Sequence, residues 1–271
     1  MTSFPSRFLL ALTFSVMSLL VPLAAVADIG SIRIGIVVMH GKGGAPTKHV
    51  SELVSALEGQ GFLVANLEMP WSGRRDYDVD VGAAEREVES ALSSLRDKGA
   101  KKLFVAGHSQ GGLFAVYFGG RHLLDGVVAI APGGNAGSPI FREKLGESVE
   151  LARKLVNEGK GDEKTRLTDF ESGKGSYPIM TTPAVYLSWF DPEGAMNQTK
   201  ALRSLNPAAA VLLIVPTSDY PGLLRVKQQV FDALPRNPHT RLYEPRSSHL
   251  NAPSASIREI VEWTTAVANA P

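Results

Sequence analysis

The chain has 271 residues, 44% of them hydrophobic and 20% charged, with a formal net charge of +1. That is the composition of a globular domain long enough to bury its core without disulfides or metals. Cysteine is absent, which excludes disulfides, thiolate metal sites and a cysteine nucleophile, and so balanced a charge leaves no basic surplus for holding nucleic acid.

The N-terminus carries one cation, Arg7, then an apolar stretch from Phe8 to Val21, then the small-residue sequence Ala25-Val26-Ala27. These are the three parts of a secretory signal peptide. A retained membrane anchor is the alternative. Thr13, Ser15, Ser18 and Pro22 break the apolar run, however, whereas a spanning helix needs about 20 apolar residues. Residues 1–27 are therefore expected to be cleaved, leaving residues 28–271 as an exported domain, periplasmic or secreted from a bacterium, with no stable membrane anchor. Cleavage removes Arg7 and no acid, so the mature chain is formally neutral.

Beyond this point strand and helix patterns alternate. "IRIGIVVM" (Ile32–Met39) is a β-branched run stopped by "HGKGG". "HVSELVSALEGQG" has Val50, Leu53, Val54 and Leu57 at helical spacing, with Gly61 as its stop. "FLVANL" is a second strand and "MPWSGRRDYDVD" a loop. "VGAAEREVESALSSLRDKGA" puts Ala84, Val88, Leu92 and Leu95 on one helix face. The strand "KKLFVAG" leads into "HSQGG" and the short apolar helix "LFAVYFGG". The strand "GVVAIAP" is followed by a stretch read as helix-rich, Gly133–Thr182. Then come strand "AVYLSW", helix "MNQTKALRSL", strand "VLLIV", helix "GLLRVKQQVFDAL", strand "TRLYEP" and a last helix. Ile257, Ile260, Val261 and Ala268 line that helix, and Ser256 with Glu259 has capping-box spacing. Such alternation predicts an α/β fold, a mostly parallel central sheet with helices on both faces. Residues 135–182 interrupt the rhythm, either as a cap-like insertion over a site or as a solvated surface helix.

In "VAGHSQGG", Ser109 lies between Gly107 and Gly111, after a strand and before a helix. That context makes it a candidate nucleophile at a sharp turn, with the following helix N-terminus favouring an oxyanion; a structural turn is the alternative. A serine needs a base. His249 follows the last strand, on the same carboxyl edge of the sheet as Ser109. His239 and His122 belong to the opposite edge, His49 opens a surface helix, His40 reads as a structural hydrogen-bonding group, and His108 has no part in the mechanism. For the acid that orients His249, Asp219 follows "VLLIVPTS", and Asp191 in "YLSWFDPEG" competes; Asp125 precedes its strand. The backbone N–H groups of Lys42 and Gln110 are the candidate oxyanion donors, Gly43 and Gly44 shaping the turn and the Lys42 side chain reaching solvent. Trp71 and Trp189 are candidate substrate-binding walls, or else packing aromatics.

HG-x-G-G after an early strand, GHSQGG at the serine turn, Asp219 after a late strand and His249 after the last one occur in that order. In this the chain resembles the α/β-hydrolase superfamily across residues 31–270, and "MPWSGRRDYD", "FDPEGAMN" and "SHLNAP" are similar to exported bacterial members without an assigned substrate. The resemblance implies an eight-stranded-type, mostly parallel sheet and a Ser-His-Asp hydrolase. Pro216 departs from it, standing where many relatives have glycine.

The expectation is a serine hydrolase that cleaves a small-molecule carboxylic ester through an acyl-enzyme, with no metal and no organic cofactor. Fold does not choose the substrate. A peptidase, amidase or thioesterase on the same site, and an inert binding module of the same fold, remain open, as does the oligomeric state.

Overall fold

The strands run through the middle of residues 32–270, which, with Met1, are those the computed structural model describes. In chain order the elements are β1 (Ile34–Met39), α1 (Ser51–Gly59), β2 (Leu63–Leu67), α2 (Val81–Asp97), β3 (Lys102–His108), α3 (Gln110–Gly119), β4 (Gly126–Ile130) and α4 (Pro139–Asn157). They continue with β5 (Thr165–Glu171), β6 (Gly175–Thr181), α5 (Pro183–Phe190), α6 (Gln198–Ser204), β7 (Ala210–Ile214), α7 (Pro221–Asp232), β8 (Arg241–Tyr243), α8 (Ala252–Ala255) and α9 (Ile257–Ala268). Six strands form one sheet in the order β2-β1-β3-β4-β7-β8, and every pair is parallel.

Strand side chains alternate between two faces, and the sheet is buried on both. Val37, Met39, Val105, Ala129 and Leu213 pack with α2, α3 and α7 on one side; Ile36, Val38, Phe104, Val128 and Ile214 pack with α1 and α9 on the other. This is why the central strands read as continuous apolar runs. The chain reverses strand order between β2 and β3, and β1 and β3 are direct neighbours, so their carboxyl ends share one edge.

Four expectations are corrected. The described sheet has six strands rather than eight. "AVYLSW" lies in helix α5: the Thr182 side chain accepts from the Val185 N–H, and Pro183 occupies the first turn, a start signal that outweighs the strand-like composition. The stretch 133–182 is helical only in α4; after it the chain forms the antiparallel hairpin β5–β6. Ser256 makes no capping bond, because α8 runs straight into it and buries its side chain, while Glu259 pairs with Arg241 instead. The expected signal peptide, residues 1–27, lies outside the described residues.

Candidate active site

β3 delivers the chain into a turn that only particular residues allow. A Cβ on Gly107 would lie 2.0 Å from the Gly111 carbonyl oxygen, and one on Gly111 would lie 2.7 Å from those of Met39 and His40. Both glycines are thus required by main chain, not by flexible side chains. Ser109 sits between them at φ +54°, ψ −117°, a conformation that costs a non-glycine residue about 1–3 kcal/mol. The surroundings hold it there: its N–H donates to the Ile130 carbonyl (2.8 Å), and its own carbonyl accepts from Gly112 (2.9 Å) and Gly133 (3.0 Å).

Parallel pairing of β7 with β8 continues past the strand ends. Val215, Thr217 and Ser218 donate to the Tyr243, Pro245 and Ser247 carbonyls at 3.0, 2.9 and 3.1 Å, and Ser218 and Ser248 form a parallel bridge. The next residue on each side is Asp219 and His249. His249 Nδ1 lies 2.7 Å from Asp219 Oδ1, with the two side chains 8% and 0% exposed. A neutral imidazole that gives its Nδ1 proton to the carboxylate has its Nε2 lone pair free. Asp191, the competitor, ends α5 and pairs with Arg153 at 3.1 Å. Asp125 pairs with Lys102.

Three of the other histidines have structural partners. His108 donates from Nε2 to the His249 carbonyl (2.9 Å), and burial drives its pKa down to about 3, so it stays neutral. His40 is fully buried. Its Nδ1–H donates to the Gly41 carbonyl (2.7 Å) and its Nε2 accepts from the Met69 N–H (3.0 Å), burial lowering its pKa. His122 stacks on Phe118 at 3.9 Å between ring centroids.

The loop after β1 presses on the serine turn: a Cβ on Gly41 would lie 3.1 Å from that of Ser109. Gly43, at φ +62°, donates to the Trp71 carbonyl (2.8 Å) and Gly44 to that of Gly41 (3.1 Å). Among the described residues the N–H groups of Lys42 and Gln110 have no such partner, and both residues line the cavity onto which Ser109 and His249 open. The Lys42 side chain corrects the expectation of solvent exposure. It is 6% exposed, with Nζ 2.5 Å from Asp169 Oδ1 and 3.1 Å from the Phe170 carbonyl, since a buried ammonium requires a counter-charge. Asp169, on β5, is fully buried, and its Oδ2 accepts from the hydroxyls of Tyr77 (3.1 Å) and Tyr177 (3.0 Å). Burial and that carboxylate push both phenols upward, keeping them protonated.

The cavity encloses about 330 Å³. Ile140, Phe141, Leu223 and Val226 give it an apolar wall; Asn135, Gln198, Glu171 and Tyr220 give polar atoms. Residues 135–182 contribute to its lining from the first turn of α4 and from the end of β5, and a Cβ on Gly173 in the hairpin turn would lie 2.7 Å from the Tyr220 hydroxyl. Trp71 and Trp189 are not in this lining. Each is 1% exposed, their rings meet at 5.5 Å, and their N–H groups donate to the His40 (2.8 Å) and Val79 (2.9 Å) carbonyls. With both N–H groups satisfied by main chain, the indoles serve as core.

Asp169, Tyr77 and Tyr220 escaped the sequence reading. The hairpin had a signal: "TRLTDF" and "SYPIMT" are alternating arms joined by the glycine-rich "ESGKG".

No protein-family model matches the chain, and no curated protein does. Solved structures do. A monoacylglycerol lipase of Paleococcus ferrophilus is similar at 22% identity and a TM-score of 0.61, over 86% of this chain and 94% of that one. A thermostable carboxyl esterase of Bacillus coagulans matches at 14% and 0.61, over 89% and 91%. An α/β hydrolase of Penicillium sp. sh18 matches at 13% and 0.64, over 88% and 90%.

Proposed function

The chain has the α/β-hydrolase fold, and on that premise we propose that it is a serine hydrolase acting on a small carboxylic ester. One observation carries the reading: His249, held by the buried Asp219, lines the same cavity as a serine held at positive φ between two glycines with no room for a side chain. Strained backbone at a cavity edge is expected where a nucleophile must project. The comparisons support ester chemistry through the lipase and esterase among them.

In this mechanism Ser109 Oγ attacks the ester carbonyl while His249 Nε2 takes its proton. Asp219 holds the tautomer and stabilises the imidazolium. The oxyanion accepts from the N–H groups of Lys42 and Gln110. His249 then protonates the leaving alcohol, and water, deprotonated by the same nitrogen, releases the acid and restores Ser109. Ile140, Phe141, Leu223 and Val226 suit an apolar acyl or alcohol group. Residues 135–182 act as the cap, and residues 1–27 as a cleaved export signal.

The test is fluorophosphonate labelling and p-nitrophenyl ester turnover by the mature protein beside Ser109→Ala. Both signals are expected in the parent and neither in the variant. Labelling that survives the substitution removes Ser109 from the mechanism; a parent that neither labels nor turns over is a binding module.

A further inference from the structure

The Lys42 ammonium and the Asp169 carboxylate form a buried ion pair that the mechanism does not use. Such a pair adds little net stability over apolar residues of similar size, so its value lies in what it fixes. Asp169 Oδ1 takes Lys42 Nζ at 2.5 Å and the Phe170 N–H at 2.6 Å. Its Oδ2 takes the Tyr77 hydroxyl at 3.1 Å. Tyr77 Oη lies in turn 3.2 Å from the Gln110 carboxamide. A phenol has a single proton, and a carboxylate is its stronger acceptor. The proton of the Tyr77 hydroxyl thus lies between the Gln110 carboxamide oxygen and Asp169 Oδ2. Tyr77 thereby links Gln110 to Asp169 from one side, and Lys42 donates to Asp169 from the other.

Lys42 and Gln110, the candidate oxyanion donors, both line the Ser109 cavity, and among the described residues their main-chain N–H groups have no main-chain partner. One lies in the loop after β1, the other in the first turn of α3, and Asp169 comes from β5 in the excursion between β4 and β7. Resting on the serine-hydrolase reading above, we infer that Asp169 is a positioning residue for the oxyanion site: one carboxylate anchors the side chains of both donor residues and sets where their N–H groups point. Tyr77 is its intermediary toward Gln110, itself held at φ +57°. The hairpin thereby takes part in assembling the site as well as in walling it.

The experiment compares the parent with Tyr77→Phe and with Lys42→Met/Asp169→Asn. The double change removes both charges, so no ion is stranded in the interior, and it keeps both main-chain N–H groups. Each is assayed on p-nitrophenyl butyrate and on its thiono analogue, whose C=S sulfur is a poorer match to donors set for oxygen. Deleting one oxyanion donor costs about 10²–10³ in kcat, so displacing donors is expected to lower kcat about 10- to 100-fold with KM changed less than about threefold. The parent's preference for ester over thionoester is expected to shrink in both variants, which a general loosening of the fold does not produce. Lys42→Arg, which keeps the pair, is expected to retain the preference. Thermal melting identifies a variant that has failed to fold; if the double variant does, Tyr77→Phe decides alone. A variant that melts like the parent and keeps its kcat and its ester preference overturns the inference. A parent that fluorophosphonate does not label overturns the hydrolase reading instead.

Discussion

His249 Nδ1 stands 2.7 Å from Asp219 Oδ1 because each residue directly follows its member of the Ser218–Ser248 bridge. Main-chain hydrogen bonds carry the β7–β8 register beyond the strands, and the two side chains meet as a consequence.

Asp219→Asn keeps the contact but offers the imidazole a group that stabilises no charge and invites the wrong tautomer. Its kcat is expected to fall on the order of 10⁴-fold. Asp191→Asn, which breaks only the pairing with Arg153, is expected to leave ester turnover within about twofold, exposed ion pairs being worth little. Steady-state kinetics on a p-nitrophenyl ester distinguish the two. Equal losses would return Asp191 to contention.

Gly111→Ala is expected to destabilise by more than about 4 kcal/mol or to prevent folding, since the new methyl meets two carbonyl oxygens. Gly146→Ala is the contrast. That glycine lies inside α4, with nothing within 4 Å of an added Cβ. It is expected to gain roughly 0.5–1 kcal/mol from helix propensity. Urea unfolding measures both.

His108 and His40 are both buried, and burial lowers the pKa of each below the ordinary 6.5, to about 3 for His108. Between those values the unfolded chain binds protons that the folded chain refuses, so stability is full above about pH 6.5 and declines as pH falls toward 3. The slope is at most roughly 1.4 kcal/mol per pH unit for each histidine. Melting temperatures from pH 7.5 to pH 4.5 are expected to drop less in His108→Asn than in the parent, and an unchanged drop would exclude His108 as a source.

Trp189→Phe removes the N–H that bonds Val79 and part of the ring packed on Trp71. A loss of about 1–3 kcal/mol in stability is expected, with KM near that of the parent. A large KM change at unaltered stability would put the indole back in the binding wall.

Export is read from the sequence alone. The intact mass of the protein recovered from a secreting host is expected to correspond to a chain beginning at Asp28, and a full-length mass would mean that Ala27 is not the cleavage point.

The central strands and the order Ser109, Asp219, His249 were legible in the sequence because strand composition and chain order carry them. Periodicity failed where runs were short: the six residues of "AVYLSW", five of them apolar, fit strand or helix alike, and the decisive signal lay outside the run, in Thr182 and Pro183. The lysines and glutamates of α4 coloured the reading of the hairpin after it. Asp169 was out of reach for a different reason. Its partner Lys42 is 127 positions away, and no local pattern marks which of two distant charges will meet inside the fold.

β4 and β7 are direct neighbours in the sheet, although residues 131–209 separate them in the chain. Strand pairing in the sheet therefore does not pass through that excursion, although its α5 and α6 pack in the core, and the β5–β6 hairpin is the natural segment to exchange when new substrates are sought. One condition comes with any exchange: a graft that discards β5 strands the Lys42 ammonium in the interior. A successful transplant must bring an anion of its own to that spot, or be accompanied by the replacement of Lys42.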